Sequence, residues 1–243
     1  VRLFDRTTRS VALTVAGQLL LPQARRTLDD LRGCAAVVHG VPKLAYALRV
    51  GTRFELGLSW LTPALEPLRQ ARPERKLSLY FGDSEDLLRR LSEGLIDAVV
   101  SSVRLTALKL KYVQLHPEAY VFVGPKRLDF RGPVDAPRTP LLDVQPDLPL
   151  FRYLLDASPP TEVWEFSEVE LLGTIAAVRY RVLEGAGVAV LPRYFVESDL
   201  EAGRLKQLLP KRRLRTDAFR LVWREDHPRL DALRELGAEL RAM

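Results

Sequence analysis

The 243 residues carry a net charge of +6, with 47% of them hydrophobic and 28% charged. These values are typical of a soluble globular protein and exclude a disordered or fibrous chain. The apolar runs are too short to cross a bilayer, and the first segment, with Arg2, Asp5, Arg6 and Arg9, is not a signal peptide. We therefore expect a cytoplasmic protein with no membrane partner.

Residues 1–14 have the pattern of a short two-stranded ribbon, because Val11 and Leu13 alternate with smaller or polar residues beyond the polar tip at 6–9. Residues 1–33 hold six Arg against three Asp. Such a local basic excess suits a polyanion, since neutralised phosphates release counterions. The alternative is a solvated helix face.

A long helix is predicted to follow, with Thr14 as its N-cap and with Gly40 and Pro42 ending it. Its apolar residues recur in steps of three and four, which describes one narrow stripe flanked by charge. Such a stripe is typical of a coiled-coil seam, so the helix indicates a dimer. The residues that we expect to form the seam are Leu20, Ala24, Leu28 and Leu31.

From residue 46 the pattern changes to alternating strands and helices, which predicts a parallel α/β unit with right-handed crossovers. A helix runs from Gly51–Thr52 to about Arg72, and another runs from Asp83–Ser84 to Gly94. The predicted strands are 46–50, 77–81, 96–101, 108–115 and 118–124.

Residues 126–219 predict a second such unit, interrupted by proline, and a last strand and helix follow. The second helix of this unit could begin at Ser167, since Ser167 and Glu170 fit a capping box. We prefer Thr174, because the earlier start buries Gly173 in a helix at a cost of roughly 1 kcal/mol. The predicted strands are 141–144, 164–172, 188–191 and 219–223, and the predicted helices are 148–156, 174–184 and 231–241.

Two α/β lobes joined by two extended segments suggest a hinged clamp, which binds small molecules where helix N-termini converge. Cys34 is the only cysteine, so no internal disulfide can form. His39, His116 and His227 have no Cys or His at ligand spacing. We predict no metal site and no cofactor.

Several segments resemble the LysR-type transcriptional regulators, in family order and over essentially the whole chain. The segments that resemble the wing and linker helix of that family are 3–9, 13–17, Leu20 and 24–26. The wing segment is the most specific part of the resemblance. The segments that resemble its effector domain are 48–51, 82–88, 94–98, 185–192 and 203–205.

The resemblance implies a winged helix-turn-helix, a dimerising linker helix and a two-lobed, periplasmic-binding-protein-like effector domain. It assigns 1–14 to the wing, 15–41 to the linker, 46–123 with 222–243 to the first lobe, and 124–221 to the second. It also implies promoter DNA, a small-molecule effector and RNA polymerase as partners of a homodimer or homotetramer. A helix-turn-helix precedes the wing in this family, and we expect its start to be missing from these residues.

The effector site is predicted where strands end and helices begin. Thr52 and Arg53 follow the first strand of the effector domain, Ser101 and Ser102 follow its third, and Thr174 begins a helix of the second lobe. Free backbone N–H groups and hydroxyls there suit an anion, consistent with a small carboxylate. The alternative for Thr52 and Thr174 is helix capping alone, and for the serines it is strand-end capping.

Two basic segments are candidates for DNA contact. At the wing tip, the resemblance puts Arg6, Thr7 and Arg9 on phosphate or in the minor groove, and the alternative is a solvated turn. The run 211–213 with Arg215 could touch bent DNA, although charge runs usually face solvent.

Four aromatic residues could line a ligand pocket, namely Phe54, Phe81, Trp164 and Phe166. The alternative is a place in the hydrophobic core, where aromatic residues at strand spacing are found more often than in the wall of a ligand pocket.

Two rival functions are a solute-binding protein of a transporter and an enzyme. A solute-binding protein would not need the wing and the linker helix. We expect no enzyme, because no nucleophile elbow, P-loop or GxGxxG motif is present and neither Asp97 nor Asp143 has a His nearby in sequence.

Overall fold

The chain divides into two compact units in the computed structural model. One unit comprises Val1–Leu115 with Arg220–Met243, and the other comprises His116–Phe219. The residues that the structure describes are 1–6, 11–21, 23–24, 27–28, 31, 45–102 and 109–243.

The predicted N-terminal ribbon is confirmed. Strand β1 (Phe4–Arg6) pairs antiparallel with β2 (Val11–Leu13). The Thr14 hydroxyl accepts the Gly17 N–H at 3.1 Å, as an N-cap does, and donates to the Arg2 carbonyl at 2.7 Å. Residues 15–21, 23–24, 27–28 and 31 are helical, and the predicted helix end at Gly40–Pro42 lies outside the described residues.

Most of a five-stranded sheet belongs to the first unit. Its strands are β3 (Tyr46–Thr52), β4 (Arg75–Phe81), β5 (Ala98–Ser101), β6 (Leu110–Glu118) and β12 (Asp217–Arg224). Their order across the sheet is β4-β3-β5-β12-β6. Strand β3 is parallel to both β4 and β5, as the alternation of strands and helices predicts, and β12 runs antiparallel to β5.

The helix predicted from Thr52 to Arg72 is present but has three parts. Helix α1 (Phe54–Leu56) continues through a π-helical turn (Gly57–Leu61) into α2 (Thr62–Ala71). Pro63 lacks an N–H, and its ring would clash with the carbonyl four residues earlier in a regular α-helix. The wider π turn, in which the Thr62 N–H bonds to the Gly57 carbonyl, relieves that clash.

The other helices of the first unit are α3 (Ser84–Glu93) and α7 (Leu230–Ala242). Both predicted ends of α3 are confirmed. The Asp83 carboxylate accepts the Asp86 N–H at 2.8 Å, and Gly94 closes the helix with a φ of 71°. The core beneath α3 is formed by Leu87, Leu91, Ile96, Val99 and Val222.

The strands of the second unit are β7 (Tyr120–Pro125), β8 (Pro140–Asp143), β9 (Glu168–Leu171), β10 (Ala189–Pro192) and β11 (Leu205–Gln207). Its helices are α4 (Arg152–Leu155), α5 (Ile175–Leu183) and α6 (Arg193–Glu201). Strand β7 pairs antiparallel with both β10 and β11. Strands β8 and β9 are parallel, and Leu141 of β8 forms a parallel bridge with Val188, the residue before β10.

Thr174 begins helix α5, as predicted in preference to Ser167. Its hydroxyl accepts the Ala177 N–H at 3.2 Å, and Gly173 stands before it with a left-handed φ of 74°. Helix α6 and strand β11 were not predicted. Pro192 ends β10 and is also the N-cap of α6, since its fixed φ of −58° suits a helix start as well as a strand end.

An aromatic cluster fills the core of the second unit. Phe122 and Phe151 are almost fully buried, and Trp164 packs against both rings at 6.3 Å and 5.7 Å between ring centroids. The predicted strand 164–172 is reduced to β9 because Trp164 and Phe166 both turn into this cluster. Among the described residues, no helix is both long and apolar enough to span a membrane.

Candidate functional site

Polar side chains gather at one edge of the five-stranded sheet, within the first unit. Thr52 is in register with Val100 of the parallel neighbour β5, and Ser101 is in register with Arg220 of β12. Because β3 and β5 run in the same direction, their carboxyl ends lie at the same edge, where α/β sheets bind ligands. We call Thr52, Arg53, Ser101, Ser102 and Arg220 the carboxyl-edge site.

The Thr52 hydroxyl is fully buried but does not cap a helix. The N-cap of α1 is Arg53, which makes no side-chain capping bond. The hydroxyl donates only a long bond of 3.4 Å to the Arg53 carbonyl. A buried hydroxyl in this position retains most of its capacity to bind an acceptor.

Arg53 adds a cation beside Thr52. Its side chain is half-buried, and no other described residue forms a hydrogen bond or an ion pair with its guanidinium. A guanidinium offers five N–H donors in a planar fork that matches a carboxylate. Arg53 is therefore the group at this edge best suited to an anion.

Arg220 belongs to the same edge and was not predicted from the sequence as a site residue. Its Nη1 donates to the Ser102 carbonyl at 2.8 Å, and its guanidinium lies 6.0 Å from the Tyr112 ring centroid. The sequence signal that could have identified Arg220 is its charge, because the other residues of the predicted strand 219–223 are apolar. Ser101 is almost fully buried and Ser102 is half-buried.

Thr174, the fifth predicted effector residue, lies in the second unit. Its hydroxyl oxygen accepts the Ala177 N–H and so caps the start of α5. This bond is the one expected from the alternative interpretation of Thr174 as a helix cap. The hydroxyl proton is still able to donate to another acceptor.

Apart from Ala24, the predicted DNA-contacting and dimerisation residues that the structure describes are exposed. Arg6 is exposed on β1, and Thr7 and Arg9 lie outside the described residues. Leu20, Leu28 and Leu31 are 45%, 54% and 62% exposed, and Ala24 is half-buried. A helix that leaves three leucines in water has the surface expected of a coiled-coil partner.

The basic segment near Pro210 is partly committed to internal ion pairs. Arg212 binds Glu162 through two nitrogens, and Arg215 binds Asp156 at 2.9 Å. The hydrogen bonds from Arg212 lower the pKa of Glu162, against a smaller opposing effect of burial. Two of its cations are therefore occupied within the second unit.

Asp97 does have a histidine partner, 130 residues away. His227 Nε2 lies 2.9 Å from the Asp97 carboxylate, while the Arg229 N–H donates to His227 Nδ1. This arrangement places the ring hydrogen on Nε2 and ties the start of α7 to the sheet. Asp143 accepts three backbone N–H groups, from Val144, Leu150 and Phe151.

Both carboxylates therefore have hydrogen-bond partners that belong to the fold. Among the residues that the structure describes, no three His, Cys, Asp or Glu side chains converge as metal ligands would.

Residues 43–243 match the family described as the LysR substrate binding domain. The chain is 25% identical to the uncharacterized HTH-type transcriptional regulator YeiE of Escherichia coli K12, over 93% of this chain and 78% of that protein. Full-length OxyR C199D from Pseudomonas aeruginosa is similar in structure, with a TM-score of 0.69 and 22% identity over 99% of this chain and 80% of that one.

Full-length LysG from Corynebacterium glutamicum, with bound effector Arg, is also similar, with a TM-score of 0.62 and 17% identity over 99% of this chain and 82% of that one. Such likenesses support the fold, which is the two-lobed, periplasmic-binding-protein-like α/β fold of LysR regulatory domains. The match to 43–243 covers most of the sequence. The chain therefore belongs to the LysR family of transcriptional regulators.

Proposed function

We propose that this protein regulates transcription in the bacterial cytoplasm by binding promoter DNA and sensing a small carboxylate at the carboxyl-edge site. The N-terminal ribbon, through Arg6, Thr7 and Arg9, would contact DNA, and the linker helix would join two copies into a homodimer or, with a second interface, a homotetramer. RNA polymerase is a further proposed partner. The family, whose relatives bear regulator names, favours this function over catalysis or solute transport.

The juxtaposition of Arg53 and Thr52 is the observation that carries the proposed effector class. A half-buried guanidinium with no protein partner among the described residues lies next to a buried, weakly bonded hydroxyl. Ser102 and Arg220 lie at the same edge of the sheet. Charge-assisted hydrogen bonds of this kind suit a carboxylate. The LysG structure holds an effector that is itself an amino acid.

Thr52→Val tests the site, because valine keeps the shape of threonine and removes only the hydroxyl. We expect the carboxylate that most raises the melting temperature in a metabolite screen to bind about tenfold more weakly to this variant, the loss expected for one charge-assisted bond. The unfolding free energy should change by less than about 1 kcal/mol, since the lost bond is long.

Thr139→Val is the matched control for this substitution. Thr139 is 6% exposed, and its hydroxyl donates to the Asp135 carbonyl at 2.8 Å in the second unit. This variant should lose stability and keep the ligand affinity. Equal ligand affinity in the wild type and Thr52→Val would exclude Thr52 from the site.

Replacing both Leu28 and Leu31 with aspartate tests the linker seam. Charges on a coiled-coil stripe cannot be buried against a partner helix, so we expect the oligomer to dissociate by at least one step. Sedimentation velocity measures the change in mass. Leu155→Asp, at a 39% exposed leucine of α4, should leave the mass unchanged, and a double variant with unaltered mass would refute the seam.

A further inference from the structure

An aromatic ring is held in solvent beside the carboxyl-edge site. Phe54 is 56% exposed at the first turn of the helix after β3, and Leu58, four residues later on the same helical face, is 62% exposed. Large apolar side chains grouped next to a cluster of polar groups are characteristic of ligand-binding sites.

The Phe54 ring has a supported position although it is exposed. It stacks on Phe81 with 5.7 Å between ring centroids and 30° between ring planes. Phe81 is in register with Thr52 and packs tightly on Gly57, where an added Cβ would lie 2.4 Å from the Phe81 ring. The fold therefore places one face of Phe54 against a fixed ring and leaves much of the side chain in water.

The aromatic residues considered from sequence separate into two groups. Trp164 and Phe166 belong to the buried cluster of the second unit, whereas Phe54 and Phe81 lie at the edge that carries Arg53 and Thr52. A core role explains the first pair. It does not explain Phe54, whose side chain is more than half exposed.

We propose that the effector is a carboxylate with a flat aromatic body, and that Phe54 determines this specificity. Arg53 and Thr52 would hold the carboxylate, and the aromatic body would pack on Phe54 and Leu58. The inference rests on the proposed function, because it uses the same anion-binding groups. It adds the chemical class of the effector's apolar part and the residues that recognise it.

The probes are benzoate, phenylacetate and indole-3-acetate, compared with acetate as a carboxylate without a ring. We expect the aromatic carboxylates to bind the intact chain at least tenfold more tightly than acetate. Phe54→Ala should weaken aromatic carboxylates about tenfold and acetate less than twofold, because it removes only ring packing. Isothermal titration calorimetry measures both affinities.

Two further variants separate this inference from the proposed function. Arg53→Met should weaken aromatic and aliphatic carboxylates alike, and Tyr180→Ala, at a 61% exposed aromatic residue of α5, should affect neither. If Arg53→Met acts and Phe54→Ala does not, the anion site stands and the aromatic specificity is refuted. If neither variant weakens any carboxylate, or if no aromatic carboxylate binds, the inference is overturned, and in the first case the anion site is refuted with it.

Discussion

Replacing Phe122 with alanine is expected to lower the unfolding free energy of the second unit by about 3–5 kcal/mol. Phe122 is fully buried on β7, the central strand of its antiparallel sheet. Its ring packs edge-on against Phe130, with 5.4 Å between ring centroids, and its centroid lies 6.3 Å from those of the Phe151 and Trp164 rings. Truncation removes the free energy gained by transferring the ring from water into the core. It also leaves a cavity, which the three neighbouring rings are too rigid to fill.

Urea unfolding followed by the fluorescence of Trp164 measures this loss. Trp60 and Trp223 lie in the first unit, so replacing both with phenylalanine assigns the signal to the second unit. Val163→Ala, at a 67% exposed position next to the cluster, should change the free energy by no more than about 0.5 kcal/mol. A loss below about 1 kcal/mol for Phe122→Ala would show that the aromatic cluster is not the core of this unit.

Replacing Asp199 with asparagine is expected to cost about 2–3 kcal/mol at neutral pH. The carboxylate is fully buried on α6, with Arg179 Nε at 2.6 Å and Arg204 Nε at 2.8 Å. Removing one partner of a buried ion pair typically costs 3–5 kcal/mol, because a charge is left without compensation. The expected cost is smaller here, since Arg179 and Arg204 are 31% and 53% exposed and can regain water.

The pH dependence of stability identifies this carboxylate. Burial alone would raise the pKa of Asp199, but hydrogen bonds from Arg179 and Arg204 outweigh burial and the pKa is lowered. The contribution of the Asp199 carboxylate to the unfolding free energy is therefore complete above the unfolded-state pKa of about 3.9. It is lost as the pH falls through the lower folded-state pKa.

Unfolding free energies of the wild type and Asp199→Asn at several pH values test both the size and the sign of this effect. The difference between the two proteins should be constant from pH 7 to about pH 5 and should shrink in more acidic buffers. Asp231→Asn is the control, because the Asp231 side chain is 93% exposed. A difference that grows on acidification would contradict the lowered pKa.

The parts of the fold that were predicted from sequence depend on neighbours in the chain. The Asp83 cap, the Gly94 stop and the Thr174 start each involve a hydrogen bond or a backbone angle within three or four residues, so the residue types alone indicate them. The strand-helix alternation of 46–101 likewise predicts parallel strands, because a helical crossover leaves few other arrangements.

Other local features were missed because one residue suits two conformations. Pro192 correctly predicted the end of β10, but its fixed φ also starts α6, and nothing in its immediate sequence distinguishes these roles. Trp164 and Phe166 alternate as strand residues do, yet they pack into the aromatic cluster and only Glu168–Leu171 pairs with β8. Their position is decided by the packing partners Phe122 and Phe151.

By itself the sequence determined the family, most of the helices and strands and the polar residues that follow strands, since each depends on residue type and local spacing. Only the tertiary structure decided which of those residues meet. The pairing of Ser101 with Arg220, the contact of Asp97 with His227 and the stacking of Phe54 on Phe81 join distant segments. Strand order and register set these contacts, and both are fixed by packing and hydrogen bonding across the whole sheet.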